Sequence, residues 1–143
     1  MRRSLRLTMV LAAVPFSAAS AQPLTARLYD AATETGLPHL EENLRYATTH
    51  ARLCLGGGQF ATAFPLLQHV ALKGCRLDHE ERAASRIRYT LSCEHGSETT
   101  GIALWQIDEN GIVGTLDVKL GGKNMTVYQR ITGRRVGACV PPG

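Results

Sequence analysis

The side chains with the greatest chemical potential in this sequence are four cysteines, Cys54, Cys75, Cys93 and Cys139. Thiols cross-link, ligate metals or act as nucleophiles, and spacing and compartment decide among these. An even count in a small exported chain implies two disulfides, and four cysteines allow three pairings. The stretch between Cys75 and Cys93 reads as a hairpin centred near Ala84, whose symmetric positions face each other across the ladder. Cys75–Cys93 is therefore the expected bond, which leaves Cys54–Cys139. A Cys/His zinc site is the competing reading. It is disfavoured by irregular spacing and the lack of a C-x₂-C pair.

The remaining reactive residues form no catalytic pattern. His39, His50, His69, His79 and His95 are scattered without H-E-x-x-H, and His79-Glu80-Glu81 reads as a charged turn. No G-x-S-x-G elbow frames a serine, and no P-loop or dinucleotide fingerprint follows a strand. Gly56-Gly57-Gly58 lacks the Lys-Ser/Thr of a phosphate cradle and reads as a flexible loop. The chain is thus expected to be non-enzymatic, with no catalytic residue, metal or cofactor. Arg86, Arg88, Lys119 and Arg130 fall at alternating positions that could share the outer face of a sheet, where they would meet anionic lipid headgroups or another acidic envelope polymer. The plainer alternative is a solvated sheet face. Trp105, the sole tryptophan, is expected in the core rather than stacked on a ligand.

The compartment follows from the N-terminus. Arg2, Arg3 and Arg6 precede an apolar run from Leu7 to Phe16, and Ala19-Ser20-Ala21 ends in the small residues of a cleavage site. Residues 1–21 are expected to be a signal peptide, cut between Ala21 and Gln22, with Ala19 and Ala21 as the recognised small residues. The run is too short to span a bilayer, which takes about 20 apolar residues. Arg2-Arg3 partly resembles a twin-arginine signal, but ordinary Sec export to the periplasm is the expectation. The three arginines belong to a total of 16 Lys+Arg in 143 residues, so the exported chain holds 13 basic and 12 acidic groups, a net charge of +1. The whole-chain pI near 9.1 therefore does not mark a nucleic-acid binder, and nucleic acid is not an expected partner.

Residues 22–139 are expected to form a single disulfide-braced domain, mainly β. Ile87, Tyr89, Leu91 and Cys93 alternate with polar residues, as half-buried strands do. Thr99 to Ile107, Ile112 to Leu120 and Met125 to Thr132 repeat the pattern, with Asn110-Gly111 and Gly121-Gly122 as tight turns. Leu28-Tyr29 and Ala47 to Leu55 are further strand candidates. Phe60, Phe64, Leu67 and Val70 have roughly helical spacing, so a short helix is expected near 60–73, starting at Pro65 and ending at Gly74. The antiparallel meander must bury its apolar face, either as a small barrel with an internal cavity or as a curved sheet covered by the 60–73 segment and the N-terminal strands. The tail 140–143 is expected to be disordered.

Several of these residues together are similar to a known family. Cys54-Leu55, Cys75, Tyr89-Thr90-Leu91-Ser92-Cys93, Met125-Thr126-Val127 and the ending Thr132-Gly133-Arg134-Arg135-Val136-Gly137-Ala138-Cys139 resemble the domain-of-unknown-function 3617 family of small exported bacterial proteins. The resemblance covers roughly residues 33–139. Gly56-Gly57-Gly58 departs from it, standing where Thr-Pro-Glu is usual, and the family's first strand is not recognisable in Leu24 to Asp30. The resemblance implies a periplasmic β-rich protein and carries no catalytic residues. The expected function is binding of a cell-envelope component, such as envelope lipid, or of a small hydrophobic ligand. The alternative is an inhibitor or partner of another envelope protein, since Tyr89 to Gly96 resembles the Y-x-C-x-x-G region of periplasmic lysozyme inhibitors.

Overall fold

The computed structural model describes residues 25–38, 46–94, 98–121 and 125–139. The expected signal segment with Ala19, Ala21 and Gln22, and the expected tail 140–143, lie outside the described residues.

Among the described residues, seven strands form one antiparallel sheet. They are β1 (Arg27–Gly36), β2 (Tyr46–Leu55), β3 (Cys75–Ala83), β4 (Arg86–Cys93), β5 (Thr100–Ile107), β6 (Gly111–Leu120) and β7 (Met125–Ala138). Their spatial order is β2-β1-β7-β6-β5-β4-β3. The run from β3 to β7 is a meander of sequence neighbours. β7 then pairs with β1 and β1 with β2, so the N-terminal hairpin extends the sheet rather than covering it. β2 and β3 are the two edges and do not pair, so the sheet does not close into a barrel.

The alternation of apolar residues sets the register, because a slip of one residue would turn the whole apolar set outward. Ile87, Trp105, Gly114, Ile131 and Thr33 form one cross-strand row on the inner face. Tyr89, Ala103, Leu116 and Gln129 form the next. Trp105 fills the space left by Gly114, directly opposite it; a Cβ at position 114 would collide with the indole.

The cover comes from the chain between β2 and β3, but not as the expected helix. Three 3₁₀ turns, Gly57–Thr62, Pro65–Gln68 and Val70–Leu72, replace it. Two residues interrupt the helical path. Pro65 has no N–H and holds Phe64 extended at φ −79, ψ 115. His69 is extended at φ −71, ψ 143, and its Nδ1 accepts the Ala71 N–H at 3.1 Å. Pro65 does begin a turn, and Gly74, at φ +80, closes the segment. Phe60 and Phe64 pack on Trp105 with ring centroids 5.2 and 4.9 Å away. The indole N–H donates to the Phe60 carbonyl at 3.1 Å. Trp105 is therefore a core residue, fully buried. Gln129, only 4% exposed, accepts the Leu66 N–H at 2.9 Å and donates to Thr35 Oγ1 at 2.8 Å, so its burial costs no unmade bond.

The Asn110-Gly111 hairpin is present, but not as a type I′ turn. Neither residue has positive φ. Asp108 Oδ1 instead accepts the N–H groups of Asn110 and Gly111, at 2.7 and 2.8 Å. The carboxylate does the work that left-handed backbone would have done. Both expected disulfides form, and no cysteine is free for zinc. Cys75 and Cys93 are direct register partners, with Cα atoms 4.0 Å apart. Cys54 lies on β2 and Cys139 just beyond β7, with β1 between those strands; their Cα atoms are 5.6 Å apart. Such bonds belong to an oxidising compartment. No helix among the described residues is long and apolar enough to cross a membrane.

Candidate functional site

At the centre of the sheet the inner face is filled by Trp105, Phe60 and Phe64, and the outer face is the open one. The register puts all four expected basic residues on the outer face. Arg88, Leu104, Thr115, Arg130 and Glu34 form one cross-strand row there. Thr90, Ile102, Asp117 and Tyr128 form the next, and Thr100, Lys119 and Thr126 the one after. Arg86 stands one row on the other side, opposite Gln106.

A groove of about 520 Å³ crosses the second and third of these rows. It lies where the β4–β5 ladder stops at the Thr90–Ile102 pair, and Leu91 and Gly101 beyond that pair line it too. Glycine is required at 101, since a Cβ would stand 2.9 Å from the Asp117 carbonyl oxygen and 3.2 Å from Leu91. The groove thus has an apolar floor on which Ile102 is exposed, with the buried core residues Val118 and Val127 beneath it and Arg88 and Lys119 on its walls. Arg86 and Arg130 share the face but do not line it. Among the four, only Arg88 makes an ion pair within the described residues, at 3.6 Å to Glu81. Lys119 is left available to an anion. Asp117 lies in the same groove and offsets part of the positive charge.

Two further features shape this face. The first is the exposed apolar pair Ile102 and Leu104, 40% and 39% accessible, which the two-sided apolar character of the 99–107 stretch had signalled. The second is Tyr128, whose ring covers Gly36 so closely that a Cβ there would collide with it. Its hydroxyl donates to Glu34 at 3.3 Å. Desolvation first, and then the Glu34 carboxylate, raise this phenol above its ordinary range, so it stays neutral at physiological pH.

No histidine, cysteine or serine among the described residues lines the groove. Among the described residues no group of three or more His, Cys, Asp or Glu could hold a metal. A second polar cluster sits at the β3 edge. The Tyr89 hydroxyl donates to Glu80 at 2.9 Å, and Arg82 Nε donates to the same carboxylate at 2.7 Å. Arg82 also reaches the Gly57 carbonyl at 3.5 Å, tying β3 to the first 3₁₀ turn. Burial, reinforced by Glu80, pushes the Tyr89 phenol far above its usual range. This cluster braces the β3 edge. Compared with protein-family models, with curated proteins and with solved structures, the chain matches none.

Proposed function

We propose that this chain is a periplasmic, non-enzymatic binding module of the domain-of-unknown-function 3617 type, exported by its N-terminal signal, and that its outer sheet face receives an anionic amphiphile of the cell envelope. The observation that carries the reading is the groove, which pairs an apolar floor with the cations of Arg88 and Lys119. An acyl chain or other apolar moiety suits the exposed Ile102, and an acidic headgroup suits Lys119. The two disulfides support an oxidising destination. The packed inner face argues against an enclosed ligand of the lipocalin kind.

Vesicle flotation tests this reading on the oxidised protein. Vesicles rich in phosphatidylglycerol should carry it, and phosphatidylcholine vesicles should not. Lys119→Glu should weaken binding about fivefold or more, since each surface cation contributes about 1 kcal/mol near an anionic membrane. Equal recovery on both kinds of vesicle would sink the reading. N-terminal sequencing of periplasmic material should begin at Gln22; a chain that still starts at Met1 would remove the export step.

A further inference from the structure

We infer that β2 is a pairing edge through which two copies of this chain join their sheets antiparallel, with Thr49 opposite Thr49. β2 pairs with β1 on one side and, among the described residues, with no strand on the other. Its ladder with β1 runs through all of Tyr46–Leu55 without a register shift, so the free edge is regular. From Tyr46 to Arg52 every residue is exposed, including Ala47, Thr49 and Ala51, which point to the inner side. Such a strand presents a row of unpaired N–H and C=O groups. Proteins usually blunt such a row with bulges, prolines or charges. β2 has no proline and no acidic residue, and its only formal charge is Arg52.

The sequence of the strand favours a second copy as the occupant. About Thr49 a two-fold register brings together compatible residues. Ala47 would meet Ala51, Thr48 would meet His50, and Tyr46 would meet Arg52. The inner positions pair small residue with small residue. The outer ends set a guanidinium over a phenol ring, an attractive cation–π contact. No like charges face each other, whereas a register centred on Arg52 would oppose two guanidinium groups. The opposite edge also limits the assembly. β3 is bulged between Asp78 and Glu81 and carries Arg76, Asp78, Glu80, Glu81 and Arg82. A head-to-tail β2–β3 filament is therefore disfavoured, and a closed two-fold dimer remains. The contact over Tyr46–Arg52 falls at or below the low end of specific interfaces, about 1,200 Å², so the expected dissociation constant is micromolar, about 1–100 µM. This inference does not rest on the outer-face groove.

The test is sedimentation of the mature, oxidised protein across that concentration range, with hydrogen exchange on the same samples. A monomer–dimer equilibrium is expected, with amides of 46–52 gaining protection as concentration rises. Thr49→Lys puts two cations on the two-fold axis and should weaken the dimer at least tenfold. Because Thr49 is exposed, the thermal midpoint of the dilute monomer should not move. A monomer at every concentration, a polymer larger than a dimer, protection confined to another segment, or a dimer indifferent to Thr49→Lys would each overturn the inference.

Discussion

The sheet ends at β2 on one side and at β3 on the other, and each edge strand carries one cysteine of a disulfide. Beyond that they differ in nearly every respect. β3 is short of regular hydrogen bonding and dense in charge. Its pairing with β4 slips between Asp78 and Glu81, and His79 sits there at φ +52. Arg76–Asp78, Arg82–Glu80 and Arg88–Glu81 pair their charges along or beside it, at 3.2, 2.7 and 3.6 Å. β2 has no such bulge, no ion pair among the described residues, and an unbroken ladder. Exposed surface pairs of this kind contribute little stability, about 0–1 kcal/mol each. Their concentration on one edge is better understood as protection against another strand. A chain that guards one edge in this way and leaves the other regular has one place where strand addition is permitted.

The disulfides sharpen the contrast most strongly. Cys75–Cys93 ties β3 to its immediate neighbour and closes a loop of sequence separation 18. Cys54–Cys139 ties β2 past β1 to the end of β7, with separation 85. On the loop-entropy account, the longer loop is worth about 4.5 kcal/mol and the shorter about 3. Replacing both Cys54 and Cys139 with serine should therefore lower unfolding stability by the larger amount, and replacing Cys75 and Cys93 by the smaller, as read from urea midpoints. Hydrogen exchange should add a local signature. Without Cys54–Cys139, β2 should open first, because no packing covers Tyr46–Arg52. Equal losses from the two pairs would mean that the edges are held alike.

Next in size is the cluster at β3. Tyr89→Phe removes the hydroxyl that donates to Glu80 and should cost about 1 kcal/mol, less than a fully buried bond to a charged group, because Glu80 is partly exposed. The same cluster sets a pH dependence. The Arg82 hydrogen bond, chiefly, holds the Glu80 carboxyl below its usual range, and the His79 N–H, chiefly, does the same for Asp78. Groups depressed in the fold stabilise above their unfolded pKa, about 4, and lose that contribution as pH falls through the folded value. The Tyr89 phenol is raised, so its contribution is present below about pH 10 and is lost as pH rises. Denaturation followed from pH 2 to 11 should show both slopes. Tyr89→Phe should flatten the alkaline one only in part, because buried Tyr29 is also raised, chiefly by desolvation. β2 has no carboxylate, so the acid slope should be matched by faster exchange along β3 and unchanged exchange along β2.

How much of this was legible beforehand varies with the physics of each region. From β4 to β7 the alternation of Ile87, Tyr89 and Leu91 and its successors marks strands directly, because one face is buried and the other is wet. β1 shows a weaker signal because Ala31 and Thr33, both buried, are not strongly apolar. β2 is harder still, since its first residues are exposed on both faces and nothing selects an alternation. Of the helix expected near 60–73 from Pro65 onward, only short 3₁₀ turns form, because spacing alone does not register the extended His69 that interrupts the path after Gln68. The four basic residues were placed on the correct face by counting alternate positions. The groove between them was not visible, because it depends on where the β4–β5 ladder ends and on the missing side chain of Gly101.

The smallest effect isolates the bulge itself. His79 occupies the left-handed region at φ +52, where a residue with a Cβ pays about 1 kcal/mol that glycine does not. Its backbone N–H is held by Asp78 Oδ1 at 2.9 Å, a bond glycine would keep. His79→Gly should therefore stabilise the fold by about 0.5–1 kcal/mol, with part of the gain offset by the greater freedom of glycine when unfolded. The oligomeric state should not change, because the bulge remains. His79→Val should act in the opposite sense, since a β-branched residue resists positive φ and favours a straight strand. That variant should lose about 1 kcal/mol or more of stability. Where the bulge gives way, it should also associate beyond a dimer, as seen by light scattering. If His79→Val stays as monodisperse as the native chain while its ladder with β4 becomes regular, the bulge is not what guards β3, and the asymmetry between the two edges must rest on charge alone.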